Sequence, residues 1–454
     1  MNVRSPWTRR CCCGLLICLA LAVRAGAHDE ADEHVAQPAI SAKEQHRATI
    51  LPDRVLLSWS GNPAHTQDVT WRTSTEVPRS FVEYAVDTGR PDFVDSCVRI
   101  EAVTRPFESD LGTYHLHTAR MAALAPATRY GYRVGDGVNW SEWFQFTTAS
   151  AEPKPFSFIY FGDAQNDIRS MWSRVIRTAH SDAPKAAFML HAGDLINDAE
   201  NDAQWGEWFG GGQWLNATIP SVATPGNHEY RLEPEVEGQA RRSVVSKYWR
   251  PTFAFPENGP PGLEETVYWF DYQGVRFVLL NSNEQIETQV DWLKKTLESN
   301  TNKWTIVAFH HPVYSSARGR DNATLRKLWK PVFDEYRVDL VLQGHDHSYA
   351  RTGLSTPENT GTGVNVIDGP TVYVVSVSGP KQYAIENRDF FERTASGAQL
   401  YQIIHVDGDT LKYEARLANG ELYDGFELHK RTGQFNELTN DIPATPEISL
   451  DRIR

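Results

Sequence analysis

Five short apolar segments of this chain each run directly into a polar cluster, and this pattern limits the possible folds more than any other feature. Segments 156–161, 186–191, 219–224, 304–310 and 339–343 have the length and composition of buried strands. The clusters that follow them are, in chain order, Gly162-Asp163-Ala164-Gln165-Asn166, Gly193-Asp194-Leu195-Ile196-Asn197, Pro225-Gly226-Asn227-His228-Glu229, His310-His311-Pro312 and Gly344-His345-Asp346-His347. Ligands bind beyond the carboxyl ends of the strands in open α/β sheets. We therefore expect one polar site at the rim of such a sheet.

The clusters bring two carboxylates, one amide and three imidazoles to that rim. These candidate metal ligands are Asp163, Asp194, Asn227, His310, His345 and His347. Oxygen and nitrogen donors of these kinds are typical of hydrolytic sites that hold two metal ions. The spacing of His345 and His347 fits a strand or loop that points both imidazoles to the same side, one toward each ion. A single Gly-Asp turn or strand-end histidine is ordinarily structural, but five clusters at one rim favour a metal site.

Two regions with different patterning lie on either side of a proline-containing linker. Residues 49–148 alternate aromatic-rich segments with turn signals, which predicts an all-β sandwich of the fibronectin or immunoglobulin kind. Residues 156–430 alternate strand segments with amphipathic helix patterns, which predicts an α/β layered domain with β-sheets flanked by helices. We expect residues 28–48 to be a flexible leader and residues 431–454 a C-terminal tail.

Residues 1–27 have the features of a secretory signal peptide. An arginine-containing start precedes an apolar run, 11–23, that is too short to span a bilayer, and Ala25-Gly26-Ala27 is typical of a cleavage site. We expect a secreted or periplasmic protein with no stable membrane insertion after cleavage, and an uncleaved anchor is the alternative. Four of the five cysteines lie in this segment, so the mature chain keeps only Cys97 and can form neither an internal disulfide nor a cysteine-based zinc site.

The net charge of the chain restricts its partners. A formal charge of −13 argues against nucleic-acid binding, because the neutralisation of phosphates needs a basic surface. A small anionic substrate would then need local positive charge, which metal ions supply most readily. The sequence contains no information on oligomeric state.

The ordered series of clusters resembles the motifs of the calcineurin-like metallophosphoesterases. The matching elements are Asp163, Gly193-Asp194, Gly226-Asn227-His228-Glu229, His310 and Gly344-His345-Asp346-His347. The region from Pro52-Asp53-Arg54-Val55 to Phe146-Thr147-Thr148 is similar to the N-terminal domain of purple acid phosphatases. The resemblance implies a metallophosphoesterase catalytic domain behind a purple-acid-phosphatase-like sandwich.

The resemblance also implies a role for each motif residue. Asp194 would bridge two metal ions, Asp163 and His347 would bind the first ion, and Asn227, His310 and His345 would bind the second. His228 would protonate the leaving group while a hydroxide held by the metal pair attacks phosphorus. His311 does not match a family ligand, so we expect it beside the ligands rather than among them.

Two positions depart from the family pattern. Purple acid phosphatases carry an iron-binding tyrosine three residues after the second aspartate, where this chain has Asn197. Many other members carry a histidine two residues after the first aspartate, where this chain has Gln165. We take Gln165 as the candidate replacement ligand and Asn197 as a weak ligand or a neighbour of the ligands. Without the tyrosine, we expect two divalent ions, Mn, Zn or Fe(II).

The leading hypothesis is an exported phosphoesterase that hydrolyses small phosphate monoesters. A phosphodiesterase of the same fold is one alternative, and a non-catalytic metal-binding module is another. Arg318 and Arg320 are candidates for contacts with substrate phosphate, although a solvated surface loop explains them equally well.

Overall fold

The computed structural model describes residues 39–233, 242–357, 366–386 and 389–450. The predicted signal peptide and most of the predicted leader lie outside the described residues, although Ala42–Gln45 of the leader form a short helix, α1. From Ala42 onward the chain belongs to one compact unit. Within the described ranges, no helix combines the length and the apolar character that a membrane crossing requires.

The region before residue 148 forms two antiparallel sheets. Its strands are β1 (Asp53–Ser58), β2 (Gln67–Thr73), β3 (Phe81–Val86), β4 (Val98–Glu101), β5 (Val103–Ser109), β6 (Gly112–Met121), β7 (Arg129–Gly135) and β8 (Phe144–Thr147). The sheet orders are β1-β2-β6-β5 and β4-β3-β7-β8. Buried residues of both sheets, among them Leu57, Trp71, Val82 and Tyr132, form one core. The predicted all-β sandwich is confirmed.

The following region contains the remaining strands and helices. Its first half has β9 (Phe156–Phe161), α2 (Ser173–Asp182), β10 (Met189–His191), α3 (Asp202–Gly212), β11 (Ser221–Ala223), β12 (Tyr230–Leu232), β13 (Ser243–Val245), α4 (Trp249–Thr252), β14 (Tyr268–Tyr272) and β15 (Val275–Leu279). Its second half has α5 (Thr288–Glu298), β16 (Trp304–Ala308), α6 (Ala323–Glu335), β17 (Leu340–Gln343), β18 (Tyr349–Thr352), β19 (Ser355–Pro357), β20 (Val366–Asp368), β21 (Val372–Val375), β22 (Phe391–Ala395), β23 (Leu400–Asp407), β24 (Thr410–Leu417), β25 (Leu422–His429) and β26 (Glu437–Asn440).

Most of these strands build two mixed sheets that face each other. Their orders are β11-β10-β9-β23-β24-β25-β26 and β14-β15-β16-β17-β21-β18-β22. Aromatic side chains join the inner faces, for example Phe188 and Phe277 with ring centroids 5.1 Å apart. The apolar faces of α2 and α3 pack in the same core as the first sheet, and those of α5 and α6 pack against the second. This arrangement confirms the predicted α/β layered architecture.

Parallel pairing places the polar clusters at one edge. Strands β9, β10 and β11 pair in parallel, as do β15, β16, β17 and β21. The carboxyl ends of the two sets meet, because the hydroxyl of Tyr160 in the first sheet donates to the carbonyl of Gln343 in the second. Ser378 N–H also donates to the Gly162 carbonyl at 3.1 Å. The loops after these strands therefore converge on one rim.

Buried ion pairs attach the sandwich to α3. The Asp202 carboxylate accepts hydrogen bonds from Arg54 Nη1 at 2.7 Å and from the Tyr114 hydroxyl at 2.7 Å, and Arg72 Nη1 lies 3.5 Å away. Burial raises the pKa of Asp202, but Arg54, Tyr114 and Arg72 outweigh this and hold it below its usual value. A buried charge with satisfied partners fixes the relative position of the two elements.

The segment after residue 430, which we expected to be a tail, contributes an edge strand. Residues of β26 pair antiparallel with β25 over Glu437–Asn440. Farther along, the Ile448 carbonyl accepts from Ser396 N–H at 3.0 Å. The exact domain boundaries, at 49–148 and 156–430, stay a prediction.

Candidate metal centre

Two groups of potential metal ligands lie at the rim and share one carboxylate. The first consists of Asp194, His310 and His345, and the second of Asp163, Asp194 and His347. Within each group, one donor atom per residue lies within 4.8 Å of the others. The sequence places these residues up to 184 positions apart, and the strand ends bring them together.

The first group closes around the amide of Asn227. The Asn227 Oδ1 atom lies 3.1 Å from His310 Nε2 and 2.9 Å from His345 Nδ1. His310 Nε2 also lies 3.2 Å from Asp194 Oδ2 and 3.2 Å from His345 Nδ1. The structure therefore brings together the residues expected around the second ion.

Gln165 lies beside the second group. Its Nε2 atom lies 3.1 Å from Asp194 Oδ2 and 2.8 Å from His347 Nε2. His347 Nε2 lies 3.7 Å from Asp163 Oδ1. Gln165 Oε1 is buried and has no hydrogen-bond partner among the described residues. If the amide turns by 180°, this oxygen faces Asp194 and His347, so Gln165 has the position and the chemistry of a ligand.

Backbone carbonyls set the orientation of the imidazoles. His310 Nδ1 lies 2.8 Å from the Ala192 carbonyl, and His347 Nδ1 lies 3.0 Å from the Lys381 carbonyl. In each case Nδ1–H donates to the carbonyl, because a carbonyl oxygen can only accept. Nε2 then presents a lone pair to the site in the neutral ring, the arrangement typical of metal-binding histidines.

The polar atoms that face the centre of the site form an environment that favours bound cations. Around His310 Nε2 lie the Asn227 oxygen, an Asp194 carboxylate oxygen and His345 Nδ1, which accepts in one of its two tautomers. Burial raises the pKa of Asp163 well above its usual range, with His310 opposing this and Asp194 adding to it. Burial lowers the pKa of His310, but Asp194 and Asp163 outweigh it and raise it to about 9. The two buried carboxylates thus favour positive charge at this position, and the oxygen and nitrogen donors around them are of the kinds that bind two cations.

The main chain is strained at three of these residues. Asp194, His345 and His347 have φ angles of 51°, 74° and 46°, in the left-handed region that non-glycine residues rarely adopt. Gly226 packs so closely that a Cβ atom there would lie 2.1 Å from Asp194 Oδ1. Strain of this kind persists only where the surroundings hold it, and it concentrates at functional sites.

Glu229 holds the Asp194 loop. Its buried carboxylate accepts from the N–H groups of Asp194 at 2.8 Å, Leu195 at 2.8 Å and Gly226 at 2.7 Å. Burial and the Asp194 charge raise the pKa of Glu229 to about 7, although its N–H donors and His310 oppose this. Glu229 has no role among the predictions made from the sequence. A glutamate three residues after a helix-capping position is the signal that could have identified it.

Asp346, also unassigned from the sequence, belongs to neither ligand group. Its Oδ2 atom accepts from the N–H groups of Ser316 at 2.7 Å and Ala317 at 3.1 Å. Its Oδ1 atom lies 3.6 Å from Arg320 Nη1. A carboxylate between two ligand histidines looks like a further ligand in the sequence, and only the structure shows that it anchors the neighbouring loop.

His228 lies next to the shared carboxylate. Its N–H donates to Asp194 Oδ1 at 2.9 Å, and its ring Nδ1 lies 2.6 Å from the Asn197 carbonyl. Asn197 thus acts on His228 through its main chain, while its side-chain oxygen accepts from Asn166 Nδ2 at 3.2 Å.

The other two histidines of the rim have different surroundings. His311 lies beside the first group, with its ring centroid 4.1 Å from that of His345 and its Nδ1 2.9 Å from Ser282 Oγ. Burial, with the His310 charge, lowers the pKa of His311 to about 3. His191 is buried against Phe161 and Trp208, and neither of its ring nitrogens has a partner among the described residues.

Comparisons with known proteins identify both regions of the chain. Residues 52–148 match the purple acid phosphatase N-terminal domain, and residues 156–349 match the calcineurin-like phosphoesterase family. Acid phosphatase type 7 of Mus musculus is 28% identical over 332 residues, which cover 66% of this chain and 71% of the relative. Purple acid phosphatase 18 of Arabidopsis thaliana is 28% identical over 317 residues, with 68% of each chain covered.

A solved structure shares the fold. The purple acid phosphatase PPD1 from yellow lupin (Lupinus luteus) seeds superposes with a TM-score of 0.67 at 20% identity, covering 83% of this chain and 74% of its own. At this identity the likeness concerns the fold. The chain joins a purple acid phosphatase N-terminal domain to a calcineurin-like phosphoesterase domain, and it is a phosphoesterase of the metallophosphoesterase superfamily.

Proposed function

We propose that this protein is an exported, dinuclear-metal phosphoesterase that hydrolyses small phosphate monoesters. The observation that carries the proposal is the position of Asp194 in both ligand groups, since a shared carboxylate is what a pair of metal ions requires. We propose as ligands Asp163, Gln165, Asp194, Asn227, His310, His345 and His347. A pair of divalent cations bound there would supply the positive charge that binds phosphate oxygens and lowers the pKa of water.

The residues of the chain have separate tasks in this reaction. Asp194 is fixed by Glu229 on its main chain and by His228 N–H on its carboxylate, so its two oxygens keep their directions. The imidazoles are oriented by the carbonyls that bind their Nδ1–H groups. Ligands that are held before substrate arrives need no rearrangement during the reaction.

His228 is the proposed general acid. Its Nδ1–H is directed to the Asn197 carbonyl, so Nε2 is the ring atom that would carry a proton to the leaving oxygen. The ring is partly exposed, unlike the buried ligand His310, so it can reach a substrate. Proton donation by a positioned side chain typically accelerates a reaction by ~10²–10⁴-fold.

The names of the relatives favour monoesters. Both curated relatives described above are named phosphatases. A phosphodiesterase of the same fold is the second candidate within this chemistry, and a metal-binding module without catalysis is a third. Export is supported by the sequence features of residues 1–27, and sequencing of the mature N terminus from culture medium or periplasm tests it.

Elemental analysis combined with a substrate panel tests the proposed function. We expect about two divalent ions per chain and turnover of monoesters in preference to diesters. The Asp194→Ala protein should lose bound metal and activity together, because both ligand groups lose their common member. Near-normal metal content and turnover in that variant would contradict the proposal, and turnover of diesters alone would favour the second candidate.

A further inference from the structure

A cluster of basic and aromatic side chains, formed by Arg320, Lys381 and Tyr383, lies beside the proposed metal ligands. Tyr383 N–H donates to the His347 carbonyl at 3.1 Å, and its ring centroid lies 4.8 Å from that of His347. The Arg320 guanidinium lies 4.6 Å from the centre of the Tyr383 ring, and Lys381 Nζ lies 5.5 Å from it. Two cations therefore gather around one aromatic ring next to a ligand histidine.

Arg320 is attached directly to the ligand loop. Its Nη1 donates to the His345 carbonyl at 3.0 Å and lies 3.6 Å from the buried carboxylate of Asp346. The side chain is nevertheless 34% exposed, so part of it faces solvent beside the site. The main chain of Lys381 also contacts the site, because its carbonyl accepts a hydrogen bond from the Nδ1–H of His347. The Arg320 guanidinium therefore cannot move far without losing its bond to the His345 carbonyl.

The positive charges of Arg320 and Lys381 contrast with the negative net charge of the protein. The chain has a formal charge of −13, so a pair of cations near a phosphate-binding site is a local exception to the overall charge. Guanidinium and ammonium groups bind phosphate oxygens through charge-assisted hydrogen bonds. An aromatic leaving group is a poorer occupant, because Arg320, Lys381 and His347 already pack against the Tyr383 ring.

We propose that Arg320 and Lys381 form a second anion subsite that selects phosphate monoesters whose leaving group carries a further phosphate group. This inference rests on the proposed function and specifies its substrate class. The scissile phosphate would occupy the metal centre while the second phosphate binds the two cations. A hydrogen bond to a charged group contributes about 1.5–3 kcal/mol, which corresponds to roughly 10-fold or more in kcat/KM.

A matched pair of substrates tests the subsite. Propane-1,3-diol bisphosphate and 3-hydroxypropyl phosphate differ only in the second phosphate. We expect the metal-loaded protein to prefer the bisphosphate by about 10-fold in kcat/KM, with the preference falling as salt increases. Arg320→Ala and Lys381→Ala should each remove most of this preference, and Arg320→Lys, which keeps the charge, should retain part of it.

Arg318→Ala is the control variant. Arg318 is exposed and lies in the same loop, and its main-chain N–H donates to the Ala384 carbonyl at 2.9 Å. It should keep the preference of the parent protein. Turnover of both substrates without a preference, or the same change in the Arg318 and Arg320 variants, would overturn the inference and leave the proposed function standing. Turnover of neither substrate would overturn the proposed function, and the inference with it.

Discussion

The carboxylate of Glu229 binds the main-chain N–H of Asp194 at 2.8 Å, in a loop where Asp194 has a φ angle of 51°. The same carboxylate binds Leu195 and Gly226, so one buried side chain fixes the two loops that meet at the shared ligand. The left-handed backbone turns the Asp194 side chain toward both ligand groups, and Glu229 stabilises that turn.

Replacement of Glu229 should therefore weaken metal binding without touching a ligand. In Glu229→Gln, an amide NH₂ faces backbone N–H donors, so at least one buried donor loses its acceptor. We expect ~10–100-fold weaker metal affinity and a matching fall in activity, measured by metal titration and turnover. Glu265→Gln is the control, because Glu265 is also largely buried, with a pKa that burial raises to about 7, and its carboxylate lies 3.9 Å from Arg250 Nε. Equal effects in the two variants would argue against a specific role.

The role of His228 can be separated from metal binding by the leaving group. A poor leaving group such as an alkoxide needs a proton as it departs, and p-nitrophenolate does not. We expect His228→Gln to lower kcat by ~10²-fold or more for an alkyl phosphate and by much less for p-nitrophenyl phosphate. Metal content should stay that of the parent protein. The same loss on both substrates would mean that His228 is not the proton donor.

The choice between Gln165 and Asn197 as a ligand is also testable. Gln165 contacts Asp194 and His347, while the Asn197 side chain contacts Asn166. Gln165→Ala should lower metal affinity by ~10-fold or more, and Gln165→His should restore it, because imidazole is a good ligand for the same ions. Asn197→Ala is the matched control and should bind metal as the parent does. The opposite result would make Asn197 the ligand.

The absence of a tyrosine at position 197 predicts a colourless protein. A phenolate bound to ferric iron gives strong visible absorption, and the residue at that position is an asparagine. We expect no charge-transfer band in the purified, metal-loaded protein, and we expect Mn, Zn or Fe(II) to restore activity after chelation. A violet preparation would show that another phenolate binds ferric iron and would contradict the divalent assignment.

The N-terminal sandwich should lose stability in mild acid because of His117. Its buried ring is hydrogen-bonded to Thr73 and Thr104, and burial, with the nearby His115, lowers its pKa to about 4. In the unfolded chain His117 has a pKa near 6.5. Between pH 6.5 and pH 4 it therefore binds a proton in the unfolded state but stays neutral in the folded state. The free energy of unfolding should fall by about 3 kcal/mol as the pH decreases through this range.

Urea unfolding of the parent and of His117→Gln at pH 7 and pH 4 measures this contribution. Carboxylates titrate alike in both proteins, so the difference between the two pH dependences isolates the histidine. The variant should be less stable at pH 7 but should lose less stability on acidification. Identical pH dependences would show that folding does not lower the pKa of His117.

Much of the fold and the ligand set follows from the sequence alone. The apolar segments were predicted within a few residues of the observed strands, because an interior strand must be apolar throughout and then end in a turn. The clusters after these segments identified Asp163, Asp194, Asn227 and the three imidazoles as neighbours, because parallel strands share an edge. The β-strand Glu437–Asn440 was missed, because its exposed face resembles a polar tail.

Only the tertiary structure decided how those residues act. The sequence cannot show that Asp346 binds the loop at Ser316 instead of a metal, or that Asn197 reaches His228 through a carbonyl. It also cannot show that Arg320 lies against Tyr383, 63 positions later in the chain. Local composition determines which segments become strands and where they end. The direction of each side chain depends on contacts between distant segments, which exist only once the two sheets have packed.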